Sequence, residues 1–224
     1  QEAPRVGRKY RGLEIFSERT VEFQGEYFSQ FTIKVDGYWQ VLEVLIPARF
    51  SLEDYDGSKS LLRIDSGCES GMLYGDTLCD CKDQLHTSLH SIGSHAERGL
   101  VIHYPTQDGK GLGTVLKAKT ELFKQGLNGR LNLNPFHEKM DTLKAWGTLT
   151  SNPNIDYRTY ADVQNVLTAL GISNLVVQTN NRAKLESIIG THIPYSTVSA
   201  HSPSHDPGCL MSQRAKLKSP NYFC

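Results

Sequence analysis

Three closely spaced cysteines constrain this chain more than any other feature of its sequence. Cys68, Cys79 and Cys81 lie within 14 residues, in the segment RIDSGCESGMLYGDTLCDC. The chain has five cysteines, and an odd number fits poorly with a secreted disulfide framework. Three thiolates that meet at one point, with an open fourth position, are typical of catalytic zinc. We therefore expect reduced cysteines and a metal site in a cytoplasmic protein.

A fourth protein ligand would change the role of that metal. The histidines that follow are His86, His90, His95 and His103, and the first two would share one helix face. A histidine that closed the site would make the zinc structural. Buried cysteines without a metal are the remaining alternative. An open site favours hydrolysis, because zinc lowers the pKa of a bound water toward about 7.

Composition and charge exclude several classes of protein. The 224 residues are 38% hydrophobic and 21% charged, which is enough to bury a core. No apolar stretch approaches the roughly 20 residues that cross a bilayer, and the residues after Gln1 lack an apolar signal core, so we expect neither a membrane span nor a targeting segment. Lys and Arg (24) balance Asp and Glu (24), which argues against a general nucleic-acid binder.

The hydrophobic pattern predicts an α/β (mixed α+β) fold. Residues 28–35 and 39–47 are apolar runs separated by Asp36-Gly37, a dipeptide typical of tight hairpins. A strand over 60–65 then leads into the cysteine cluster. The later pattern predicts a helix after Cys81, a strand over 99–105, a helix ending at Gly126, and a helix, strand and helix over 160–190. We expect N-terminal antiparallel strands followed by a layered α/β core.

Three segments of the chain match patterns of one known family. RIDSGCESGMLYGDTLCDCKDQL agrees at all three cysteines with R-x-H-S-E-C-x-T-G-D-x-x-x-S-x-R-C-D-C-x-x-Q-L. QDGKGLG is similar to Q-E-G-R-G-I-G, and LGISNLVVQTNNRAKL is similar to L-G-V-x-x-[IV]-x-L-x-T-N-N-P-x-K. These patterns belong to GTP cyclohydrolase II, and their order and approximate separation agree over roughly residues 60–190. The chain resembles that family.

The resemblance implies a fold, a reaction and a domain division. In that family a zinc-bound water attacks C8 of guanine, the imidazole ring opens, formate leaves and pyrophosphate is released. The resemblance implies one Zn²⁺ per chain, a GTP cyclohydrolase II-like fold and a homodimer, with Mg²⁺ accompanying a triphosphate substrate. We expect a loosely held arm over residues 1–20, the catalytic domain over 21–198 and a poorly ordered tail over 199–224. Residues 127–157 are expected to be a long ordered loop or a region of short elements.

The resemblance also implies roles for individual residues. Cys68, Cys79 and Cys81 are the implied zinc ligands. Side chains that suit contact with the nucleotide stand at the family's substrate-binding positions; they are Arg63, Ser66, Gln84, Asp108, Gly109, Lys110, Thr142, Thr179 and Lys184. Candidates for moving protons, which catalysis at the ring carbon requires, are Asp108, Glu121 and Asp156. Without the resemblance, DGKGLG would serve as a turn into a helix, and Thr179-Asn180-Asn181 as a helix N-cap.

The chain departs from the family pattern at several positions. Counting back from Asp156-Tyr157 puts Pro153 and Ile155 where the family has a proton-accepting aspartate and a nucleophilic arginine, and Arg158 would need a shifted alignment to serve. Replacement of arginine by Lys110 loses the bidentate fork of a guanidinium. The other changes are Asp65 for histidine, Gly67 for glutamate, Leu78 for arginine and Glu121 for tyrosine.

These departures leave three functional hypotheses. The first is a zinc-dependent cyclohydrolase that opens the ring of GTP or a related purine nucleotide. The second is a paralogue that acts on another heterocycle, in pyrimidine catabolism or a specialised biosynthesis. The third is a non-catalytic nucleotide-binding protein with structural zinc, which a histidine as fourth ligand would indicate. A zinc-containing nucleic-acid binder is disfavoured by the zero net charge.

Overall fold

The fold is built on a single mixed sheet. The computed structural model describes residues 7–73, 79–95, 97–105, 107–124, 142–152, 154 and 156–200. Within these residues the strands are β1 (Arg8–Tyr10), β2 (Leu13–Phe23), β3 (Glu26–Val35), β4 (Val41–Pro47), β5 (Lys59–Ser66), β6 (Arg98–Tyr104), β7 (Asn174–Gln178) and β8 (Tyr195–Val198). Their order across the sheet is β1-β2-β3-β4-β6-β5-β7-β8.

The sheet has an antiparallel half and a parallel half. Strands β1 to β4 are antiparallel neighbours, and β4 also pairs antiparallel with β6. The turn between β3 and β4 contains Gly37 at φ +86°, a conformation that favours glycine. Strands β5, β6, β7 and β8 pair in parallel. The carboxyl ends of β5, β6 and β7 therefore lie along one edge, where open α/β sheets bind their ligands.

Helices cover both faces of the sheet. They are α1 (Glu69–Leu73), α2 (Cys81–Ser94), α3 (Thr114–Lys124), α4 (Thr142–Thr150), α5 (Asp162–Leu170) and α6 (Arg182–Ile189). Along β6, Ile102 packs in the core cluster that includes α5 and α6, whereas its neighbour Val101 packs with Leu89 and Ile92 of α2. Successive strand residues point to opposite faces. The sheet is thus sandwiched between α2 on one face and α5 with α6 on the other.

Most of the elements expected from the sequence are present. The hairpin of β3 and β4, the strand before Cys68, the helix after Cys81 and the final helix, strand and helix are confirmed. The described part of residues 127–157 contains α4, which agrees with a region of short elements. Residues 125–141, Cys209 and Cys224 lie outside the described residues.

The expectation of a loosely held arm over residues 1–20 is wrong for the described part. Residues from Arg8 onward form β1 and β2, and a boundary at residue 20 falls inside β2. Leu13 and Ile15 are 2% and 0% exposed and belong to the main core. Strand β2 is difficult to recognise in the sequence because its polar residues outnumber its apolar ones, although the alternation of Leu13 and Ile15 is a strand pattern.

Among the described residues, none of the helices combines the length and the apolar character that crossing a membrane requires.

The core around β6 supports the edge on which the cysteines lie. Ile102 is fully buried, so Ile102→Ala is expected to lower the free energy of unfolding by about 2–5 kcal/mol through lost burial and a cavity. Urea denaturation measures this change. Ile189→Ala is the matched control, because Ile189 is 57% exposed, and its effect should stay within about 0.5 kcal/mol apart from helix propensity. Equal losses in both variants would contradict this packing.

Candidate active site

The three clustered cysteines meet at the carboxyl edge of the parallel strands. Cys68 follows β5, and Cys81 is the first residue of α2. Their Sγ atoms and that of Cys79 all lie within 4.8 Å of one another, and those of Cys68 and Cys79 are 3.4 Å apart. Tetrahedral zinc with Zn–S bonds of about 2.3 Å places its sulfurs about 3.8 Å apart. The donor set therefore fits zinc.

Glycine fits the place where α1 approaches these thiols, since a larger residue would be tightly confined. A Cβ atom at Gly71 would lie 3.1 Å from Sγ of Cys79 and 3.4 Å from Sγ of Cys68. Gly67 is similarly confined, because a Cβ there would lie 3.1 Å from the carbonyl oxygens of Tyr104 and Pro105. The close approach of the backbone at the end of β6 favours a small residue at position 67, where the resemblance expects glutamate.

Among the described residues, no histidine lies with the three cysteines. The group of described residues able to hold a metal consists of the three cysteines alone. His86 instead packs edge-on against Phe23, with ring centroids 4.8 Å apart, and His90 and His95 are exposed. His103 hydrogen-bonds Asp65. Within the described part of the chain, the arrangement favours an open fourth position over a site closed by histidine.

The thiols of Cys68 and Cys79 are protonated when no metal is bound. The contact with Cys79 lowers the pKa of Cys68, but the contact with Cys81 and burial outweigh it and raise that pKa to about 11. The neighbouring thiols and burial also hold the pKa of Cys79 well above its usual range. Zinc must therefore displace protons from at least two thiols when it binds.

A basic pocket lies on the Cys81 side of the metal site. Its lining comes from β5, from α2, from the segment between β7 and α6, from α6 itself and from Arg158. The pocket contains Arg63, Asp65, Ser66, Cys81, Gln84, Arg158, Thr179, Asn180, Asn181 and Lys184. Three cationic side chains and one carboxylate face it, so its formal charge is positive. Five of the predicted substrate-binding residues are brought together here, namely Arg63, Ser66, Gln84, Thr179 and Lys184.

Buried hydrogen bonds hold the charges of the basic pocket in place. The Nη2 atom of Arg63 donates to Oδ1 of Asp65 at 3.3 Å and to Oε1 of Gln84 at 3.1 Å. Nζ of Lys184 donates to the carbonyl oxygen of Ile64 at 2.6 Å. Burial and the nearby Arg63 charge hold the pKa of Lys184 well below its usual range. An anion in the pocket would relieve this unfavourable concentration of positive charge.

The start of α6 closes the basic pocket. Asn181 is its N-cap, and the Asn181 side chain accepts a hydrogen bond from the backbone N–H of Ala183 at 2.9 Å. Thr179 Oγ1 accepts from the backbone N–H of Asn181 at 3.0 Å. The expected N-cap role is thus confirmed for Asn181. It is compatible with ligand binding, because a helix N-terminus attracts anions.

Asp156 and Arg158 form a fixed ion pair at this pocket. Nη2 of Arg158 lies 2.5 Å from Oδ2 of Asp156, and its Nε donates to Oδ1 at 2.8 Å. Nη1 of Arg158 also reaches the Ser66 hydroxyl at 3.4 Å. Burial opposes ionisation of Asp156, but the hydrogen bonds and charge of Arg158 outweigh it, so the pKa of Asp156 is below its usual range. The carboxylate is ionised and holds the guanidinium in one orientation.

The glycine-rich loop positions Arg158. The backbone N–H of Tyr157 donates to the carbonyl oxygen of Lys110 at 2.9 Å. Gly111 has φ +81°, and a Cβ atom there would lie 2.9 Å from the carbonyl carbon of Tyr157 and 3.0 Å from the nitrogen of Arg158. The loop is thus a platform for the segment that carries Asp156 and Arg158.

A second pocket lies on the Cys68 side of the metal site. We refer to it as the acidic pocket, because it contains two carboxylates beside a histidine. Its lining is Gly67, Cys68, Glu69, Met72, Leu73, His103, Pro105, Asp108, Gly113 and Thr114. Asp108, a predicted catalytic and substrate-binding residue, lies here and is 8% exposed. The cysteine triad therefore stands between two pockets of opposite character.

Several predicted site residues line neither pocket. Nζ of Lys110 lies over the Trp146 ring, 4.9 Å from its centroid, and Gly109 begins the short 3-10 turn Gly109–Gly111. Glu121 forms an ion pair with Lys117, with Oε1 and Nζ 2.6 Å apart. Thr142 begins α4, and its side chain lies outside the described residues. The substrate or catalytic roles of these residues stay predictions.

Sequence reasoning missed four residues that the structure brings to the pockets. In the sequence, Asp65 stands out only as a departure from the family pattern, Asn180 only as part of an N-cap, and His103 only as a possible metal ligand. Counting back from Asp156-Tyr157 puts the required pair at positions 153 and 155, which lie outside the described residues, and so passes over Arg158. The Asp-x-Arg spacing of Asp156 and Arg158 was the signal that would have found the pair.

Zinc affinity should depend steeply on pH. Because the pKa values of the Cys68 and Cys79 thiols are raised, zinc binding releases at least two protons at neutral pH. The logarithm of the apparent association constant is expected to rise by about two or more per pH unit between pH 6 and 8. Competition with a chromophoric chelator measures it. A slope near zero would show that the triad is not the zinc site.

Removal of one thiol should abolish zinc retention. Cys79→Ser is expected to lower zinc affinity by at least about 100-fold, because serine is a poor zinc ligand. Metal analysis after dialysis against a chelator measures the loss. Cys224→Ser is the control, and its zinc content should equal that of the unmodified protein. Loss of zinc in the control would reveal a fourth ligand from residues 201–224, and retention by Cys79→Ser would contradict the triad.

Comparison with known proteins agrees with this geometry. The family model for GTP cyclohydrolase II matches residues 21–196. The riboflavin biosynthesis protein RibBA of Bacillus subtilis is 29% identical over 191 residues, which cover 84% of this chain and 42% of that protein. The RibBA of Endomicrobium trichonymphae is 34% identical over 128 residues, covering 57% of this chain and 28% of that protein.

A shorter relative is covered more fully. The GTP cyclohydrolase-2 of Helicobacter hepaticus is 27% identical over 170 residues, which cover 72% of this chain and 76% of that protein. By contrast, the chain spans less than half the length of the two RibBA proteins. The family match extends over most of this chain and includes all three cysteines and both pockets. The chain belongs to the GTP cyclohydrolase II family.

Proposed function

We propose that this protein is a zinc-dependent cyclohydrolase that opens the heterocyclic ring of a purine nucleotide, with GTP as the first substrate to test. One observation carries the proposal: the cysteine triad lies between a basic pocket and an acidic pocket. A nucleotide has the matching polarity, because its phosphates are anionic and its base carries N–H groups. The reacting ring carbon would then lie at the metal.

The basic pocket supports a phosphate ligand. Lys184 and Arg63 are buried, at 5% and 3% exposure, and carry more positive charge than Asp65 balances. Nε of Arg63 is also buried, and no acceptor for it is found among the described residues. Phosphate oxygens would supply acceptors to both side chains and would raise the pKa of Lys184 toward its usual range. This is the physical reason to place the phosphates here.

The acidic pocket supports an N–H-bearing ring. Asp108 offers carboxylate oxygens that accept hydrogen bonds from ring or amino N–H groups. Gln84 does not line this pocket but the basic one. There its amide is ordered by Arg63 and by Asp80, whose Oδ2 accepts a hydrogen bond from Gln84 Nε2 at 2.7 Å. When bound by the triad, zinc would act as a Lewis acid that lowers the pKa of water toward about 7. The residues of this chain would orient the nucleotide and exclude competing water.

We assign the aspartate and arginine that the resemblance requires to Asp156 and Arg158. Arg158 lines the basic pocket where the phosphates would lie, and Asp156 is ionised and holds it by two hydrogen bonds. For pyrophosphate release, a guanidinium nitrogen would attack the α-phosphorus while Asp156 accepts its proton and the bond to pyrophosphate breaks. This assignment replaces the one at positions 153 and 155.

A different heterocycle is the second candidate substrate. The carboxylate of Asp65 stands where the resemblance expects histidine, and Glu121 pairs with Lys117 where it expects tyrosine. These changes alter the surroundings of both pockets, so a relative that acts outside GTP metabolism remains a specific alternative. The proposal also includes one Zn²⁺ per chain, Mg²⁺ with a triphosphate substrate, a homodimer and a cytoplasmic location.

A substrate panel tests the proposal. Zinc-loaded protein is incubated with GTP, other purine nucleotides and pyrimidine nucleotides, while formate, pyrophosphate and ring absorbance are followed together. Formate with pyrophosphate from GTP is the expected result. Turnover of another heterocycle alone would favour the second candidate. Absence of turnover, with zinc and nucleotide both bound, would overturn the cyclohydrolase proposal and favour a nucleotide-binding protein.

Arg158→Lys should affect the release of pyrophosphate separately from the release of formate. Lysine keeps the charge but loses the bidentate geometry that Asp156 orients, so pyrophosphate release is expected to fall on the order of 100-fold. Zinc content should not change. Arg182→Lys is the matched control, because Arg182 is exposed on α6 and lines neither pocket. Equal pyrophosphate release by both variants would contradict the assignment of Arg158.

A further inference from the structure

A buried aspartate and a histidine are neighbours in the parallel half of the sheet. Asp65 of β5 and His103 of β6 are paired in register. Oδ2 of Asp65 lies 2.8 Å from Nδ1 of His103. The Asp65 side chain is 3% exposed, whereas that of His103 is 21% exposed. The carboxylate is thus fixed inside the protein, and the imidazole reaches toward solvent.

The hydrogen bonds of Asp65 define the tautomer of His103. The other carboxylate oxygen, Oδ1, accepts from Nη2 of Arg63 at 3.3 Å. Burial opposes ionisation of Asp65, but the His103 hydrogen bond and the charges of Arg63 and Lys184 outweigh it and keep its pKa low. An ionised carboxylate only accepts hydrogen bonds. Nδ1 of His103 therefore donates, and in the neutral ring Nε2 carries the lone pair.

The pair links the two pockets. Asp65 lines the basic pocket, whereas His103 lines the acidic pocket together with Cys68 and Asp108. Since Asp65 occupies the Nδ1 edge of the ring, Nε2 is the nitrogen left to serve an occupant of the acidic pocket. The proposed zinc and phosphate sites do not use this histidine, and its carboxylate partner is the aspartate that stands at position 65 where the resemblance expects histidine.

Other acidic groups near His103 already have different partners or positions. Glu43 of β4 is the cross-strand neighbour of His103, and its carboxylate accepts hydrogen bonds from Gln30 and from Thr32. Glu69 and Asp108 share the acidic pocket with the ring. Asp65 is the carboxylate that hydrogen-bonds Nδ1, so it is the group that orients the imidazole.

We propose that His103 transfers protons in the ring-opening reaction and that Asp65 is its positioning residue. As water adds to the ring carbon, Nε2 takes one proton from it, and the resulting imidazolium is stabilised by the Asp65 carboxylate. Nε2 then returns the proton to the ring nitrogen as the carbon–nitrogen bond breaks. One water has then added across that bond and His103 is regenerated, and formate is released when a second water cleaves the other carbon–nitrogen bond of the same carbon. This inference rests on the proposed cyclohydrolase function.

The kinetic test uses zinc-loaded protein and whichever nucleotide of the panel is turned over. His103→Ala is expected to lower formate release on the order of 10²–10⁴-fold with zinc content unchanged. Added imidazole should restore part of the activity, which a purely structural role would not allow. Asp65→Asn should lower activity by about tenfold or more and shift the pH profile. His192→Asn is the control, because His192 is an exposed histidine and asparagine tolerates its φ of +58°.

A spectroscopic test does not depend on turnover. Nitrogen-15 NMR of histidine-labelled, zinc-loaded protein should show that the neutral ring of His103 carries its proton on Nδ1 and none on Nε2. Asp65→Asn should alter that tautomer, and thermal unfolding checks that the variant folds, since it also removes the partner of Arg63.

The outcomes distinguish the two proposals. If the unmodified protein is active and the His103→Ala variant has the same rate and pH profile, the role of His103 is overturned and the cyclohydrolase proposal stands. If no nucleotide is turned over, the cyclohydrolase proposal and the proton transfer both fail. The tautomer then shows whether the Asp65–His103 pair exists, and protonated Nε2 with bare Nδ1 would overturn the pair itself.

Discussion

The parallel pairing of β5 with β6 and β7 is the constraint on which the site depends. Because the three strands run in one direction, the segments that follow them meet at one edge of the sheet. The segment after β5 carries Cys68, the one after β6 carries Asp108, and the one after β7 carries Thr179. Antiparallel strands would send alternate segments to opposite edges, and the thiols and the two pockets would not adjoin.

Charge is unevenly distributed across that edge. Asp156 balances the charge of Arg158, but Arg63 and Lys184 outnumber Asp65, and this positive excess costs stability while the pocket holds no anion. A protein keeps such buried charges where a ligand balances them, so this excess is itself an argument for an anionic substrate. Asp65 compensates part of the charge and also holds His103. One carboxylate therefore contributes to the electrostatics of both pockets.

The sequence predicted the parts of the structure that depend on local pattern. The hairpin around Gly37, the helix after Cys81 and the meeting of the cysteines follow from periodicity, turn residues and spacing. The strand with Leu13 and Ile15 was missed because its apolar residues are few, and only its place beside β3 buries them.

Long-range packing explains what the sequence did not reveal in the site. Arg158 reaches the basic pocket because the glycine-rich loop packs under Tyr157. The hydrogen bond between them joins residues 110 and 157, which are 47 positions apart, and no local motif encodes it. The partnership of Asp65 and His103 likewise requires the register of β5 on β6. His86 had a suitable spacing for a metal ligand, but its helix face points it toward Phe23.

The most direct measurement is a crystal structure of the zinc-loaded protein with a non-hydrolysable GTP analogue, with anomalous data collected at the zinc edge. We expect one zinc peak bound by the sulfurs of Cys68, Cys79 and Cys81, phosphates against Arg63 and Lys184, and the base in the acidic pocket. A zinc closed by a fourth protein ligand, or phosphates bound away from the basic pocket, would contradict this expectation.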